Sequence, residues 1–558
     1  MTVSEIIAGI LIKEGITDAF GIPGAGVNAL YSALNKTPRI KHYVMRHEEA
    51  AVHAADAYYR ASGRMAVALC TSGPGATNFV TGIYTANIDS IPLLAISGQA
   101  VRAQLGKDAF QCVDIAAICK PIAKQTWCVT EPSEIPAIFT EAFHTARSGK
   151  PGPVLIDLPL DVQMADIDFS LNDYSPLPVQ KPAPDPKLIA DALDLLLAAK
   201  APVLLMGGGV ILSGAEKACL ELAEALNLPV ITTYMAKGGL PESHPLNAGH
   251  AGIQVGQPIG NKVLGGADLV LGLGCRFTDR HTGDTKVYAQ GRKFIHVNIE
   301  PSEINKIIPA DIGIVADAGL AIQAFLSEIK AKKLSRAAGE REKGLQALRV
   351  SLERRTDYDE KPIKPMRVFQ AINEVFDDDT MFTTGCGLNQ IWSGQFQKIS
   401  KPRRYLPSGG AGTLGFDIPA AFGAMVADQK QNKAVAVMGD FGFTFLVEEL
   451  AVAASNDVPL IVVILNNAYL SLIRQNQKYA YGYEYAVHMP ENKAMMDYIQ
   501  VAKGFGCDGE RVFEPSGIAP ALQRALSSKK PYIVECVCEE ETDAAMGGSI
   551  LAVKEFNS

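Results

Sequence analysis

The feature that most constrains this chain is a set of short apolar runs, most of them ending near Gly, Asp, Asn or Pro. They lie at 65–73 (MAVALCTSG), 91–99 (IPLLAISGQ), 152–159 (GPVLIDLP), 201–209 (APVLLMGGG), 269–274 (LVLGLG), 293–301 (KFIHVNIEP), 433–441 (KAVAVMGDF), 459–467 (PLIVVILNN) and 531–538 (PYIVECVC). Runs this short and this apolar suit strands buried on both faces, and longer helical patterns separate them. The expected fold class is therefore α/β, with parallel sheets covered by helices on both sides. Two proline-rich breaks divide the chain. The first, Ser170 to Lys187, carries Pro176, Pro178, Pro182, Pro184 and Pro186, and proline at that density is extended. The second follows a charged helix expected around 332–355 and ends at Pro362 and Pro365. The expected domains are 1–170, 187–345 and 362–558.

Composition removes several classes of function. Lys and Arg total 52 against 60 Asp and Glu, a formal charge of −8, which argues against nucleic acid as the main partner. With 48 % hydrophobic and 20 % charged residues, large cores are possible and wholesale disorder is excluded. The N-terminus lacks the basic region of a signal peptide. The uncharged stretch from Met65 to Ile88 contains Gly73, Pro74, Gly75 and Asn78, so no membrane helix is expected. The ten cysteines are scattered, with no CxxC pair, which fits a cytoplasmic protein with reduced thiols. Glycine, at 50 residues, is in excess of the usual ~7 %.

The strongest chemical signal is a pair of strand ends. Gly439, Asp440 and Phe441 close one apolar run; Asn466 and Asn467 close another, and Asp440 and Asn467 are 27 positions apart. That interval fits strand, helix and return strand, which brings both side chains to the carboxyl edge of a parallel sheet, where ligands bind. Taken singly, each is an ordinary turn residue. As a pair, a carboxylate and an amide oxygen suit a hard divalent cation whose shell a ligand phosphate completes.

GDF, 24 residues, then NN resembles the thiamine diphosphate (ThDP) binding motif, usually written GDG…NN, with Phe441 in place of its last Gly. The resemblance extends over essentially the whole chain. It implies three doubly wound parallel-sheet domains: a pyrimidine-binding domain, a central Rossmann-like domain and a diphosphate-binding domain. It implies Mg²⁺ held by Asp440, Asn467 and the Tyr469 carbonyl, with Gly439, Phe441 and Gly442 beside the diphosphate. YVMRHEEAAVHAADAYYR places Glu48 where the family has the carboxylate that protonates the aminopyrimidine ring. FGIPGAGVNALY, with Ile22, Pro23 and Gly24, resembles the pyrimidine-side loop, and CTSGPGATN the turn above the cofactor. TTGCGLNQ resembles the diphosphate-side loop, through Cys386, Gly387, Leu388 and Asn389. SGGAGTLGFDIPAA resembles the segment that bends the cofactor, with the Gly412 carbonyl on the aminopyrimidine and Leu414 wedged between the rings. The family's cofactor lies between domains of different chains, which implies an obligate homodimer, here expected as a dimer of dimers.

In the central domain, LLMGGGVILSG (Gly207, Gly208, Gly209), LGLGCRFTDRHTG, FIHVNIEP and VADAG resemble the FAD-binding segments of acetohydroxyacid synthases and glyoxylate carboligases, where FAD is structural. Arg276 would pair with the dinucleotide's diphosphate, and Asn298, Ile299, Asp317 and Ala318 would face its ribose or adenine.

HTG after RFTDR, NNAYLSLIRQNQ and the C-terminal ETDAAMGGSILAVKEF resemble glyoxylate carboligases. Gln475, Asn476 and Gln477 stand where acetohydroxyacid synthases carry QWQ, and Leu388 and Asn389 where they favour Gln-His. The resemblance implies a C2 carbanion that attacks glyoxylate, loss of CO₂, and attack of the resulting enamine on a second glyoxylate to give tartronate semialdehyde. Arg280 would hold the acceptor carboxylate, Leu472 and Ile473 would wall the pocket, and Phe110 and Gln111 match its entrance. One residue points elsewhere. Glyoxylate carboligases carry Val where this chain has Glu48, the choice of most ThDP enzymes. A synthase forming acetolactate from pyruvate therefore stays open, as does a flavin-dependent pyruvate oxidase.

Overall fold

In a computed structural model that describes residues 1–555, the chain forms three six-stranded sheets in which every strand pairing is parallel. Ser558, at the end of the third expected domain, and Phe556, the last residue of the C-terminal motif, lie outside the described residues. The first sheet orders its strands Lys41–Val44, Asp18–Gly21, Val67–Cys70, Leu94–Gln99, Val154–Pro159, Gln125–Cys128. The third orders them Tyr405–Pro407, Met381–Thr384, Ala434–Gly439, Ile461–Asn466, Tyr532–Val537, Asp508–Val512. Counted along the chain, both are 2-1-3-4-6-5. The central sheet runs Asn247–His250, Val230–Thr232, Pro202–Met206, Leu269–Leu273, Lys293–Asn298, Ile312–Val315, the order 3-2-1-4-5-6 of dinucleotide-binding folds. Helices cover both faces of each sheet, as expected for strands apolar on both sides.

Each sheet reverses its winding between its first strand and the neighbour on the far side, and crevices open at such switch points. Those positions carry Gly21–Gly24 beside Thr71–Gly73, Gly207–Gly209 beside Gly274, and Gly385–Asn389 beside Gly439–Asp440.

The first and third domains share one hydrophobic core. Its seam is the helix Glu48–Ser62 packed on the helix Asp417–Ala427, all of whose residues are buried. Phe422 meets Phe20 and Tyr43 edge-on at centroid distances of 6.2 and 5.4 Å. Among the described residues, no helix is long and apolar enough to cross a membrane. All ten cysteines are free.

One expectation about the connections needs correction. The charged helix expected across 332–355 is broken. The helix Ala318–Lys332 ends with Lys333 in the left-handed conformation, and two short helices, Glu340–Lys343 and Leu345–Ser351, follow. Gly339 and Gly344 interrupt the pattern, and glycine weakens a helix interior. The first proline-rich linker is anchored. Lys181 lies 3.1 Å from Asp317, and the Asp317 amide donates to the Pro182 carbonyl, so this segment is laid against the central domain.

Candidate active site

The carboxyl edge of the third sheet gathers the residues of the strongest motif. Asp440 begins a short helix directly after the strand Ala434–Gly439, and its side chain is 1 % exposed. Burial pushes its carboxyl up to about 6, against bonds from the Asn492 amide at 2.6 Å and the Asn467 backbone. On the neighbouring strand, Asn466 and Asn467 divide their work. Asn466 donates to the Asn492 carbonyl and to Glu535, at 2.9 and 2.7 Å, and is structural. Asn467 is followed by Ala468 at φ +59°, a backbone conformation that L-residues rarely adopt and that clusters at functional sites. This turn brings two oxygens together: Ser471 Oγ donates to Asn467 Oδ1 at 2.9 Å and to the Tyr469 carbonyl at 3.1 Å. The Tyr469 ring stacks on His488 at 4.4 Å. One carboxylate, one amide oxygen and one carbonyl make an all-oxygen donor set, which fits Mg²⁺ with ligand oxygens completing its shell. Among the described residues, no cluster of three His, Cys, Asp or Glu side chains offers another kind of metal site.

The loop 385–389 lies alongside. Asn389 donates to the Val437 carbonyl at 3.1 Å, and its Oδ1 would stand 3.6 Å from a Cβ on Gly439. Gly387 is at φ +126°, and a side chain there would strike Asn389. Leu388 is buried in the core behind the loop. Cys386 is a thiol, its pKa raised by burial. Asp417 was not foreseen: wholly buried, it accepts from the Gly385 amide at 2.5 Å, and burial pushes its carboxyl up to about 7. Gly412 is at φ +62°, 3.5 Å from Cys386 Sγ by its absent Cβ, and Leu414 reaches within 3.8 Å of the corresponding point on Gly442. Phe441 is half-buried against Phe445.

Glu48 belongs to a separate cluster at the edge of the first sheet. It opens the helix Glu48–Ser62 and accepts from Asn78 Nδ2 at 2.9 Å. Its Oε1 would be 3.0 Å from a Cβ on Gly75, and a Cβ on Gly24 would meet Thr71 at 2.6 Å, so both loops need glycine to close around this carboxylate. Ile22 and Pro23 join the strand to that loop. Gln111, at φ +56°, lies against Gly73, and its neighbour Phe110 is 89 % exposed. The chain leading into Glu48 is held by Glu449, whose Oε1 accepts from the Arg46 and His47 amides, each at 2.9 Å. Nothing in the sequence pattern singled out Glu449 or Asn492, and the CTSGPGATN motif gave no sign of the bond from its last residue, Asn78, to Glu48, because each acts on a partner distant in the chain.

A cavity of about 1150 Å³ opens where all three domains meet. It exceeds the usual range for a single small-ligand pocket, roughly 300–1,000 Å³, and has room for a dinucleotide. Gly208, Gly209, Arg276, Asn298, Ile299, Asp317 and Ala318 line one part of it; Cys386, Gly412, Leu472, Ile473 and Arg280 line another. Arg280 is 66 % exposed and Ile473 50 %, which puts them at the rim. Several details differ from a simple phosphate cradle. Gly207 and Gly209 abut Gly274, and a Cβ on Gly209 would lie 2.8 Å from the Gly274 Cα, so these glycines let two loops touch each other. Gly208 lines the cavity too, but a Cβ there would stand 3.0 Å from that of Met235. Asp317 caps the helix Ala318–Lys332 and accepts from Ser213 at 2.8 Å, and Asn298 donates to the Cys275 carbonyl at 2.8 Å. Arg276 reaches out of its domain to the Ile88 carbonyl and Asp89.

Three family models match the chain. Residues 1–118 match the N-terminal TPP binding domain of thiamine pyrophosphate enzymes, 189–325 their central domain and 385–536 their C-terminal TPP binding domain. The chain belongs to the thiamine pyrophosphate enzyme family. Its relatives place it among the family's decarboxylases and carboligases. It is 43 % identical to the glyoxylate carboligase of Escherichia coli O157:H7, across 98 % of this chain and 95 % of that protein. It is 39 % identical to a "probable acetolactate synthase large subunit" of Methanocaldococcus jannaschii, across 96 % and 92 %. With the acetolactate synthase large subunit of Corynebacterium glutamicum the identity is 38 %, across 97 % and 87 %.

Proposed function

We propose that this enzyme decarboxylates glyoxylate and joins the remaining carbon fragment to a second glyoxylate. Two glyoxylates and one proton give tartronate semialdehyde and CO₂. The observation that carries the reading is the 43 % identity to a glyoxylate carboligase over nearly the whole of both chains, above the 39 % and 38 % of the acetolactate synthases. Working domain boundaries are 1–170, 187–345 and 362–558.

Bound ThDP supplies the electron sink that a departing carboxylate requires. This chain's residues supply the rest. Asp440, Asn467 and the Tyr469 carbonyl would hold Mg²⁺. Gly439, Gly442 and the loop Cys386–Asn389 leave backbone room for the diphosphate. Gly412 and Leu414 would seat the pyrimidine and fix the bend between the rings. Glu48 would pass a proton between its carboxyl and a pyrimidine nitrogen, held in place by Asn78. Arg280 would fork onto a substrate carboxylate at the rim, and Leu472 and Ile473 restrict the space beside it to a short 2-oxo acid. The central strand order, the cavity's size and the lining cations Lys181, Arg276 and Arg403 fit FAD as a structural ligand. Phe110, bare beside Gln111 on the isolated chain, fits a face covered by a second copy, in a homodimer that pairs again to a tetramer. Ten free cysteines suit a reducing, cytoplasmic setting.

Glu48 favours a second reading, an acetolactate-forming synthase acting on pyruvate. The purified enzyme, loaded with ThDP, Mg²⁺ and FAD, is given glyoxylate and pyruvate separately and the products are identified by NMR. Tartronate semialdehyde formed at a kcat/KM well above that for pyruvate is expected. Acetolactate as the dominant product would overturn the assignment, and anaerobic bleaching of the flavin by pyruvate would indicate an oxidase.

A further inference from the structure

Three domains meet at one buried carboxylate. Asp89 follows the helix Phe79–Ile88, and its side chain is 0 % exposed. Its Oδ2 accepts from Arg60 Nη2 and from the Gly409 amide, each at 3.1 Å. Its Oδ1 accepts from the Gly410 amide at 2.9 Å and lies 3.8 Å from Arg276 Nη2. Arg60 is itself paired with Asp56 and donates to the Pro407 carbonyl at 2.9 Å. First, third and central domains thus each contribute a group to the surroundings of Asp89.

Two consecutive backbone amides turned on one carboxylate form an anion nest, which fixes the loop that carries them. Thr85 reinforces the grip, its hydroxyl 2.7 Å from that of Thr413. The gripped loop runs directly into Gly412 and Leu414. Asp89, Arg276 and Gly409 to Gly412 all line the large cavity, together with Asp317 and Cys386. Buried here are two carboxylates, Asp56 and Asp89, and one guanidinium, Arg60. Arg276, at the cavity wall, brings the second positive charge near. A diphosphate in the dinucleotide part would compete for that guanidinium. Asp89, less well neutralised, would then bind the Gly409 and Gly410 amides more strongly.

We infer that Asp89 is a positioning residue that couples a dinucleotide on Arg276 to the order of the loop 409–414, so that FAD and ThDP bind cooperatively. The inference rests on the reading of the cavity as an FAD site. The test uses the full chain, stripped of cofactors and supplied with Mg²⁺. ThDP dissociation constants are measured by calorimetry with and without saturating FAD, and FAD dissociation constants by flavin fluorescence with and without ThDP. In the wild type, FAD should tighten ThDP by about 5-fold or more, and ThDP should tighten FAD by the same factor, as linkage requires. In Asp89→Asn both ligands should still bind, with the factor reduced to near one. Arg276→Gln, which leaves the Asp56–Arg60 pair in place, should also abolish the factor and serves if Asp89→Asn does not fold. A purely structural Asp89 would weaken both affinities and leave the factor intact, overturning the inference. So would a wild-type factor of one. Failure of the wild type to bind FAD would remove the cavity reading together with the inference; FAD binding without coupling would remove the inference alone.

Discussion

Gly423→Ala tests how tightly the first and third domains are pressed together. A Cβ at Gly423 would lie less than 3.0 Å from the carbonyl oxygen, carbonyl carbon and Cα of Ala54 on the facing helix. All three are backbone atoms, so no rotamer change relieves the overlap. Reaching ordinary contact, which begins at 3.4 Å, requires the helices Glu48–Ser62 and Asp417–Ala427 to part or slide. Two effects oppose each other. Alanine is better than glycine in a helix by about 1 kcal/mol. Overpacking a filled interior costs roughly 1–3 kcal/mol, and separation forfeits dispersion along the whole seam. The steric effect wins, because Asp417–Ala427 is buried along its whole length, and the net loss is about 1–2 kcal/mol. At about 2–4 °C per kcal/mol for domains of this size, Tm falls by roughly 2–8 °C. Glu48 is the first residue of the displaced helix, so kcat should fall too; a shift of about 1 Å at a positioned group can cost on the order of 10²-fold. Scanning calorimetry and steady-state rates on the same preparations read both effects. Gly504→Ala is the control: it sits at the end of the helix Tyr498–Gly504 with nothing within 4 Å of its absent Cβ, and should be neutral or slightly stabilising. A Gly423→Ala protein as stable and as active as the wild type would refute the reasoning.

Three other perturbations follow from the same geometry. Glu48→Gln should slow exchange of the ThDP C2 proton by about 10²-fold or more, followed by NMR in D₂O, and an unchanged rate removes its proton-transfer role. Asp440→Ala should raise the Mg²⁺ needed for half-maximal ThDP binding by on the order of 10²-fold, read by calorimetric titration; an unaltered requirement means the metal sits elsewhere. Burial raises Glu449 from its ordinary 4.5 to about 8. The folded state therefore holds that proton where the unfolded chain has lost it, so the stability this group contributes is full below about pH 4.5 and is lost as pH rises through about 8. Glu449→Gln has no proton to lose. Denaturant midpoints of wild type and variant, compared at pH 5.5, 7 and 8.5, should shift in the variant's favour as pH rises, and parallel profiles would show that Glu449 does not titrate there.

The apolar runs read from sequence all became interior strands, such as Val67–Cys70, Val203's strand Pro202–Met206 and Ile461–Asn466. The edge strands Lys41–Val44, Gln125–Cys128, Ile312–Val315 and Asp508–Val512 were not legible, because each is only four or five residues long and an edge strand, less covered than an interior one, needs no long apolar run. The Asp440–Asn467 pair was legible because strand ends are marked locally, by a run and the residue that closes it. The roles of Asn492, Asn78, Glu449 and Asp89 were not legible, since each takes its meaning from a partner brought near only by the fold. The glycines were found but half explained. Gly207, Gly209 and Gly423 admit other backbone, and sequence alone does not distinguish that need from room for a ligand.

The shared strand order of the first and third sheets bears on how one cofactor can be served by two domains. In each sheet the loop after the first strand faces the loop after the third across the switch point: Ile22–Gly24 against Thr71–Gly73, and Gly385–Gly387 against Gly439–Asp440. The architecture thus presents the same kind of crevice twice, and chemistry separates the copies. One crevice carries a carboxylate supported by an amide, Glu48 on Asn78, with glycines that let loops close around it, which suits a neutral ring with a transferable proton. The other carries Asp440 with two neutral oxygens, Asn467 and the Tyr469 carbonyl, which suits a cation and the phosphates that follow it. Glu449 and the Gly423 seam fix these two copies within one chain, Glu449 by holding the amides that lead into Glu48. The seam leaves both crevices available to a ligand, while the central domain bears on the loop at Gly409 and Gly410 through Met235 and, by way of the Asp89 nest, through Arg276.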